Sequence, residues 1–107
     1  VVGIFSLNYS MIAPLSRYGK RLSELSDIYI DNYGPPGDAL VEIQTGIKVS
    51  AFSTIAGSFI LNSIIAETAK LAKNDDPFPF YISGNMPNAE EHNLKLMKKY
   101  KKRNPHI

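Results

Sequence analysis

From Ile55 to Ala72 the chain runs with almost no polar stripe: Ile55, Ala56, Phe59, Ile60, Leu61, Ile64, Ile65, Ala66, Ala69, Leu71 and Ala72. At helical spacing these side chains point in nearly every direction, and a helix apolar all round is a buried one. The pattern predicts a long core helix reaching about Lys73, covered by a sheet on one side and by another helix or subunit on the other. It opens at Ser50-Ala51-Phe52-Ser53-Thr54-Ile55-Ala56-Gly57, where hydroxyl side chains can cap free backbone N–H groups. Those N–H groups and the positive end of the helix dipole offer a seat to an anion or a sugar hydroxyl. Asn74-Asp75-Asp76-Pro77 ends the helix, since proline cannot continue it.

The remaining pattern is one of short apolar runs between turn signals. Val1–Ser6 is too short for a helix and reads as a buried strand ending in the turn Leu7-Asn8-Tyr9-Ser10. Residues 11–18 form a connector containing Pro14, and Gly19–Leu25 a short surface helix with Leu22 and Leu25 inward. Asp27–Asp31 is a second strand, its unbroken apolar centre suited to a parallel sheet. Tyr33-Gly34-Pro35-Pro36-Gly37-Asp38 is a loop by composition. Ala39–Ile43 is a short extended piece carrying Glu42, Gln44-Thr45-Gly46 turns the chain, and Ile47-Lys48-Val49 leads into the long helix. Phe78–Ser83 reads as a third strand, with Pro79 favouring an edge. Asn88 to about Arg103 is the last helix, acidic at its start and basic at its end as the dipole prefers, with Leu94, Leu96, Met97 and Tyr100 as its buried stripe. Strands alternating with helices predict an α/β fold with a parallel sheet.

Composition narrows the chemistry. Cysteine is absent from all 107 residues, which removes disulfides, thiolate nucleophiles and cysteine metal sites and suits a cytoplasmic protein. A net charge of +2 does not imply nucleic acid, and the lysine-rich end reads as a solvated helix face. The long helix is read as a core element and not a membrane span, because Asn62 and Ser63 interrupt it and Glu67 and Lys70 follow before the ~20 residues a bilayer needs. The first residues lack a basic leader and a cleavage site. The chain opens directly in a buried strand without methionine, which suggests a fragment whose preceding half lies elsewhere.

Several segments in order carry a family resemblance: Arg17-Tyr18-Gly19-Lys20-Arg21-Leu22, Asp27-Ile28-Tyr29-Ile30-Asp31-Asn32, Gly34-Pro35-Pro36-Gly37-Asp38-Ala39, Ser53-Thr54-Ile55-Ala56-Gly57 and Glu91-His92-Asn93. Together they resemble the C-terminal half of uncharacterised sugar isomerase (SIS) domain proteins over nearly the whole chain, 1–107. The resemblance implies a three-layer, flavodoxin-like α/β sandwich around a parallel sheet. It further implies a homodimer and a phosphorylated sugar or amino sugar as ligand; no cofactor is expected, since the sequence has no G-x-G-x-x-G and no P-loop lysine motif. The family's phosphate loop has no counterpart in this sequence. Ser53 and Thr54 match the family's sugar-lining helix opening, while Ser50-Ala51-Phe52 departs from its usual Gly-Pro-Thr-like turn, so that Phe52 would narrow the pocket.

In a parallel α/β sheet ligands sit outside the carboxyl ends of strands. This makes Asn8, Ser10 and Asp38 candidate substrate contacts beside Ser53 and Thr54. The plainer alternative is that Asn8 and Ser10 satisfy turn backbone and Asp38 orders its own loop. Aldose–ketose isomerisation needs a group that moves a proton between adjacent carbons, and Glu42 and His92 are the candidates. Against these roles stand a solvated strand-end carboxylate and a packed or capping imidazole. Glu67 is expected to pair with a lysine. The two histidines and scattered acids lack metal-ligand spacing. A phosphosugar isomerase is thus one reading, and a sensor that binds without turnover the other; a mainly dimer-forming surface through Ile64 and Ile65 is a third. All rest on the apolar helix lying sandwiched with its mouth on a pocket.

Overall fold

A computed structural model describes residues 1–15 and 17–106; Ser16, in the expected connector, lies outside the described residues. The elements in order are β1 (Val2–Phe5), α1 (Leu7–Ile12), α2 (Leu22–Leu25), β2 (Ile28–Asp31), β3 (Ala39–Gln44), β4 (Ile47–Ala51), α3 (Phe52–Leu71) and α4 (Ala89–Tyr100). The chain divides into two compact units, Val1–Asn62 and Ser63–Ile107, the boundary falling inside α3.

In the first unit β1 and β2 pair in parallel, Val2 against Ile28 through Phe5 against Asp31. A Cβ on Gly3 would stand 2.5 Å from Ser26 Oγ, so this point of β1 has room only for hydrogen. The expected turn at Leu7–Ser10 is instead the start of α1. Ser6 is its N-cap, its hydroxyl oxygen accepting the Tyr9 amide at 3.2 Å, and a serine cap turns a strand end into a helix start. The other end of α1 is held by Arg21. Its guanidinium donates to the carbonyls of Ser10, of Met11 at 3.0 Å and of Ala13 at 3.2 Å. These are the acceptors a helix leaves open at its C-terminus.

Ile47–Val49, expected as a lead-in to the helix, belongs to β4, which pairs antiparallel with β3 from Ala39–Ala51 to Gln44–Ile47. Two runs rich in β-branched residues flank the two-residue turn Thr45-Gly46, with Gly46 at φ 78°. A tight hairpin loop favours such positive angles, and glycine adopts them freely.

The largest departure from expectation concerns α3. The helix forms over the predicted stretch, yet none of its residues is buried, and Ile55, Phe59 and Leu71 are 67%, 73% and 88% exposed. The sheets have two strands each, and neither packs along the helix. Among the described residues, then, α3 is at most half-buried, and they do not form the sandwich expected around it.

In the second unit the expected third strand, 78–83, does not form a ladder. Side chains of α4 instead bond the backbone at Phe80 and Ile82. Asn93 accepts the Ile82 amide at 3.0 Å and donates to the Ile82 carbonyl at 2.8 Å, and His92 Nε2 donates to the Phe80 carbonyl at 2.9 Å. An asparagine amide presents the same donor and acceptor as a peptide group, so it stands in for a neighbouring strand. The last helix begins at Ala89, after Asn88 at φ 63°. Its buried residues are Ala89 and Leu96, whereas Leu94, expected in the stripe, is exposed. Met97 and Tyr100 are half-buried.

Candidate functional site

Where β1 and β2 end, three side chains tie the chain into a rim. The Asp31 carboxylate accepts the amides of Leu7 at 3.1 Å and Tyr33 at 2.8 Å. The Asn32 side-chain oxygen accepts the Gly34 amide at 2.9 Å. Ser6 donates its hydroxyl proton to the Gly34 carbonyl at 2.6 Å, so the β1 end and the post-β2 loop are joined directly. Gly34 is buried, and a Cβ there would meet Asn32 Oδ1 and the Phe52 ring, each at 3.1 Å.

Asp38 closes the other side. The Phe52 amide donates to the Asp38 carbonyl at 2.9 Å. The Ser53 amide donates to one carboxylate oxygen at 2.7 Å and the Ser53 hydroxyl to the other at 2.6 Å. A residue remote in sequence thus caps the first two N–H groups of α3. Carboxylates are favoured at that end of a helix. Asp38 reaches it at φ 66°, a left-handed conformation in which aspartate is among the tolerated residues.

Between rim and helix lies a pocket of about 230 Å³, lined by Ser6, Tyr9, Asn32, Gly34, Asp38 and Ser53 with walls from Phe5 and Pro35. It sits at the carboxyl ends of a parallel strand pair, the position that strand chemistry leads one to search.

Of the residues singled out from sequence, the structure brings Asp38 and Ser53 together here. Thr54 is exposed and does not line the pocket, so the helix mouth meets the pocket through Ser53 alone. Asn8 is exposed on α1, and Ser10 borders a different pocket beside Arg21. Phe52 covers Gly34 rather than narrowing the pocket. Glu42 does not point into it: on the exposed face of β3, its carboxylate accepts the Gly46 amide of its own hairpin at 3.3 Å. His92 lines a cleft of about 530 Å³ in the second unit, with Asp75, Asp76, Glu91 and Lys95. Glu67 pairs with Lys70 at 2.6 Å, as expected. Among the described residues no three His, Asp or Glu side chains are grouped to hold a metal ion.

Ser6, Tyr9, Asn32 and Gly34 were not singled out as pocket residues. The strand-end rule pointed two to four residues too far because Ser6, rather than Asn8, marks where β1 ends. Asn32 had a signal, since it directly follows β2.

No family model matches the chain. It is similar to UPF0309 proteins: 45% identical over 114 residues to one from Caldanaerobacter subterraneus subsp. tengcongensis, covering 100% of this chain and 46% of that protein. It is 43% identical over 106 residues to one from Geobacillus sp. (strain WCH70), covering 95% and 42%. For one from Brucella anthropi the identity is 37% over 108 residues, covering 100% and 44%. The chain therefore spans less than half the length of these curated relatives. By length and composition α3 is apolar enough to cross a membrane, at 20 residues and mean hydropathy 1.2.

Proposed function

We propose that this chain is the C-terminal half of a SIS-type α/β domain that binds a phosphorylated sugar or amino sugar, in an aldose–ketose isomerase-like protein. The observation that supports the reading is the pocket at the carboxyl ends of β1 and β2, walled by Ser53 at the mouth of α3 and by Asp38. Polar groups on such a rim suit a polyol. In this reading the phosphate is held by polypeptide outside these 107 residues. That polypeptide, or the second subunit of a homodimer, also completes the three-layer sandwich and covers α3. The protein is cytoplasmic, and α3 enters no membrane.

A second reading, a phosphosugar sensor without turnover, is favoured by one specific observation. Glu42 and His92, the expected proton-moving groups, do not line the pocket. Incubating the full-length protein with sugar phosphates in deuterated water and following carbon-bound protons by NMR tests both readings. Proton exchange identifies an isomerase. A raised melting temperature without exchange identifies a sensor, because a ligand that binds only the native state stabilises it. Neither effect with any sugar phosphate removes the sugar reading. Sedimentation of Ile64→Asp tests the homodimer.

A further inference from the structure

The pocket lining mixes donors and acceptors: Asn32 and Tyr9 carry side-chain N–H and O–H groups, whereas Asp38 and Ser53, at the opening of α3, offer acceptors. Both serine protons are already spent on the protein itself, Ser6 on the Gly34 carbonyl and Ser53 on the Asp38 carboxylate. A serine hydroxyl has a single proton and two lone pairs, so either serine meets a ligand as an acceptor. Each Asp38 oxygen accepts one bond from Ser53 and keeps further lone-pair capacity. Asp38 is also the one charged side chain among the residues lining the pocket. Its carboxylate takes the place at the start of α3 where a helix would otherwise favour an external anion.

From this we infer that the Asp38–Ser53 wall of the pocket takes the hydrogen-bond-donating face of its ligand, hydroxyl groups and above all an ammonium, and excludes phosphate, with Asp38 as the residue that sets this preference. The inference rests on the sugar reading only for the ligand's skeleton; the choice of donor over anion follows from the atoms of Asp38 and Ser53. It orients a bound phosphosugar with its phosphate pointing away from Ser53. It also assigns the opening of α3 a role opposite to that of a phosphate seat.

The test uses the full-length protein, with glucosamine, glucose and inorganic phosphate as probes and the Ser53 and Gly34 amide resonances as readout. Glucosamine is expected to shift both amides at lower concentration than glucose, and phosphate to leave them unmoved. Asp38→Asn keeps an oxygen for the Ser53 amide but removes the charge. It is expected to weaken glucosamine about tenfold or more, the scale of a lost charge-assisted bond, and to admit phosphate at Ser53. Phosphate shifting Ser53 in the unaltered chain overturns the inference without any variant, and so does equal glucosamine affinity in Asp38→Asn. If glucosamine binds as expected while sugar phosphates neither bind nor exchange in the full-length protein, the inference stands and the phosphosugar reading falls. If sugar phosphates bind the full-length protein but Asp38→Asn changes nothing, the reading stands and the inference falls.

Discussion

Asn93 completes both backbone hydrogen bonds of Ile82, at 3.0 and 2.8 Å, and so does the work of an adjacent strand with one side chain. Replacing it with alanine leaves an amide and a carbonyl to find water. Asn93→Ala is expected to lower stability by about 1 kcal/mol, the net worth of ordinary hydrogen bonds. It should also speed hydrogen exchange at the Ile82 amide. Unchanged exchange there would show that the side chain does not hold the segment.

Asp38 is expected to matter for folding as well as for recognition. Asp38→Ala removes the cap on the first turn of α3 and leaves alanine at a positive φ, at a combined cost of about 1–3 kcal/mol in urea unfolding. Asp38→Gly loses the cap but fits the backbone, and should recover part of that loss.

Gly34 has almost no space for a side chain. Gly34→Ala places a methyl 3.1 Å from both Asn32 Oδ1 and the Phe52 ring, so one of them must move. A destabilisation of about 1–3 kcal/mol is expected from overpacking, together with altered Ser53 and Asn32 resonances as the pocket rim shifts. Retention of the native spectrum would count against so tight a fit.

Arg21 reaches three carbonyls with one planar group. Arg21→Lys keeps the charge but has no fork to span Ser10, Met11 and Ala13. It is expected to fray α1, costing about 1 kcal/mol and raising exchange at the Ala13 amide, which donates to Tyr9.

The Glu91–Lys95 pair on α4 gives a pH dependence with a definite sign. The hydrogen bond from Lys95, then its charge, lowers the Glu91 pKa, and the same bond raises that of Lys95. The Glu91 contribution is therefore present above the ordinary carboxylate pKa and is lost as pH falls through the lowered one. That of Lys95 is present below the ordinary lysine pKa and is lost as pH rises through the raised one. Both side chains are fully solvated, so the effect is small. It should disappear in Glu91→Gln, and also in about 1 M salt, where surface charges are screened. A melting profile of Glu91→Gln identical to the parent at every pH would remove the pair from the account.

The parts of this architecture legible in the sequence are those set by local pattern. Val2–Phe5, Ile28–Asp31 and the apolar stretch of α3 declare themselves through length and periodicity, and Asp38 and Ser53 through chemistry at a strand end and a helix mouth. What escaped was decided by partners distant in the chain. The cap on α3 comes from Asp38 rather than from Ser50 or Thr54, a choice fixed by the loop after β2. The hairpin was hidden because Ile47-Lys48-Val49 is as short as a lead-in, and only pairing with Val41 and Glu42 makes it a strand. Phe78–Ser83 has the composition of a strand, but His92 and Asn93 claim its backbone. Burial of α3 was inferred from its own residues, whereas burial depends on what stands opposite.

A twenty-residue stretch with Ile55, Phe59 and Leu71 open to water has a practical consequence at the bench. Expressed by itself, this polypeptide would be sticky: prone to chaperone capture, to self-association at high concentration and to retention on hydrophobic resins. Mild detergent should improve its recovery more than added salt, since kosmotropic salts strengthen that tendency to cluster.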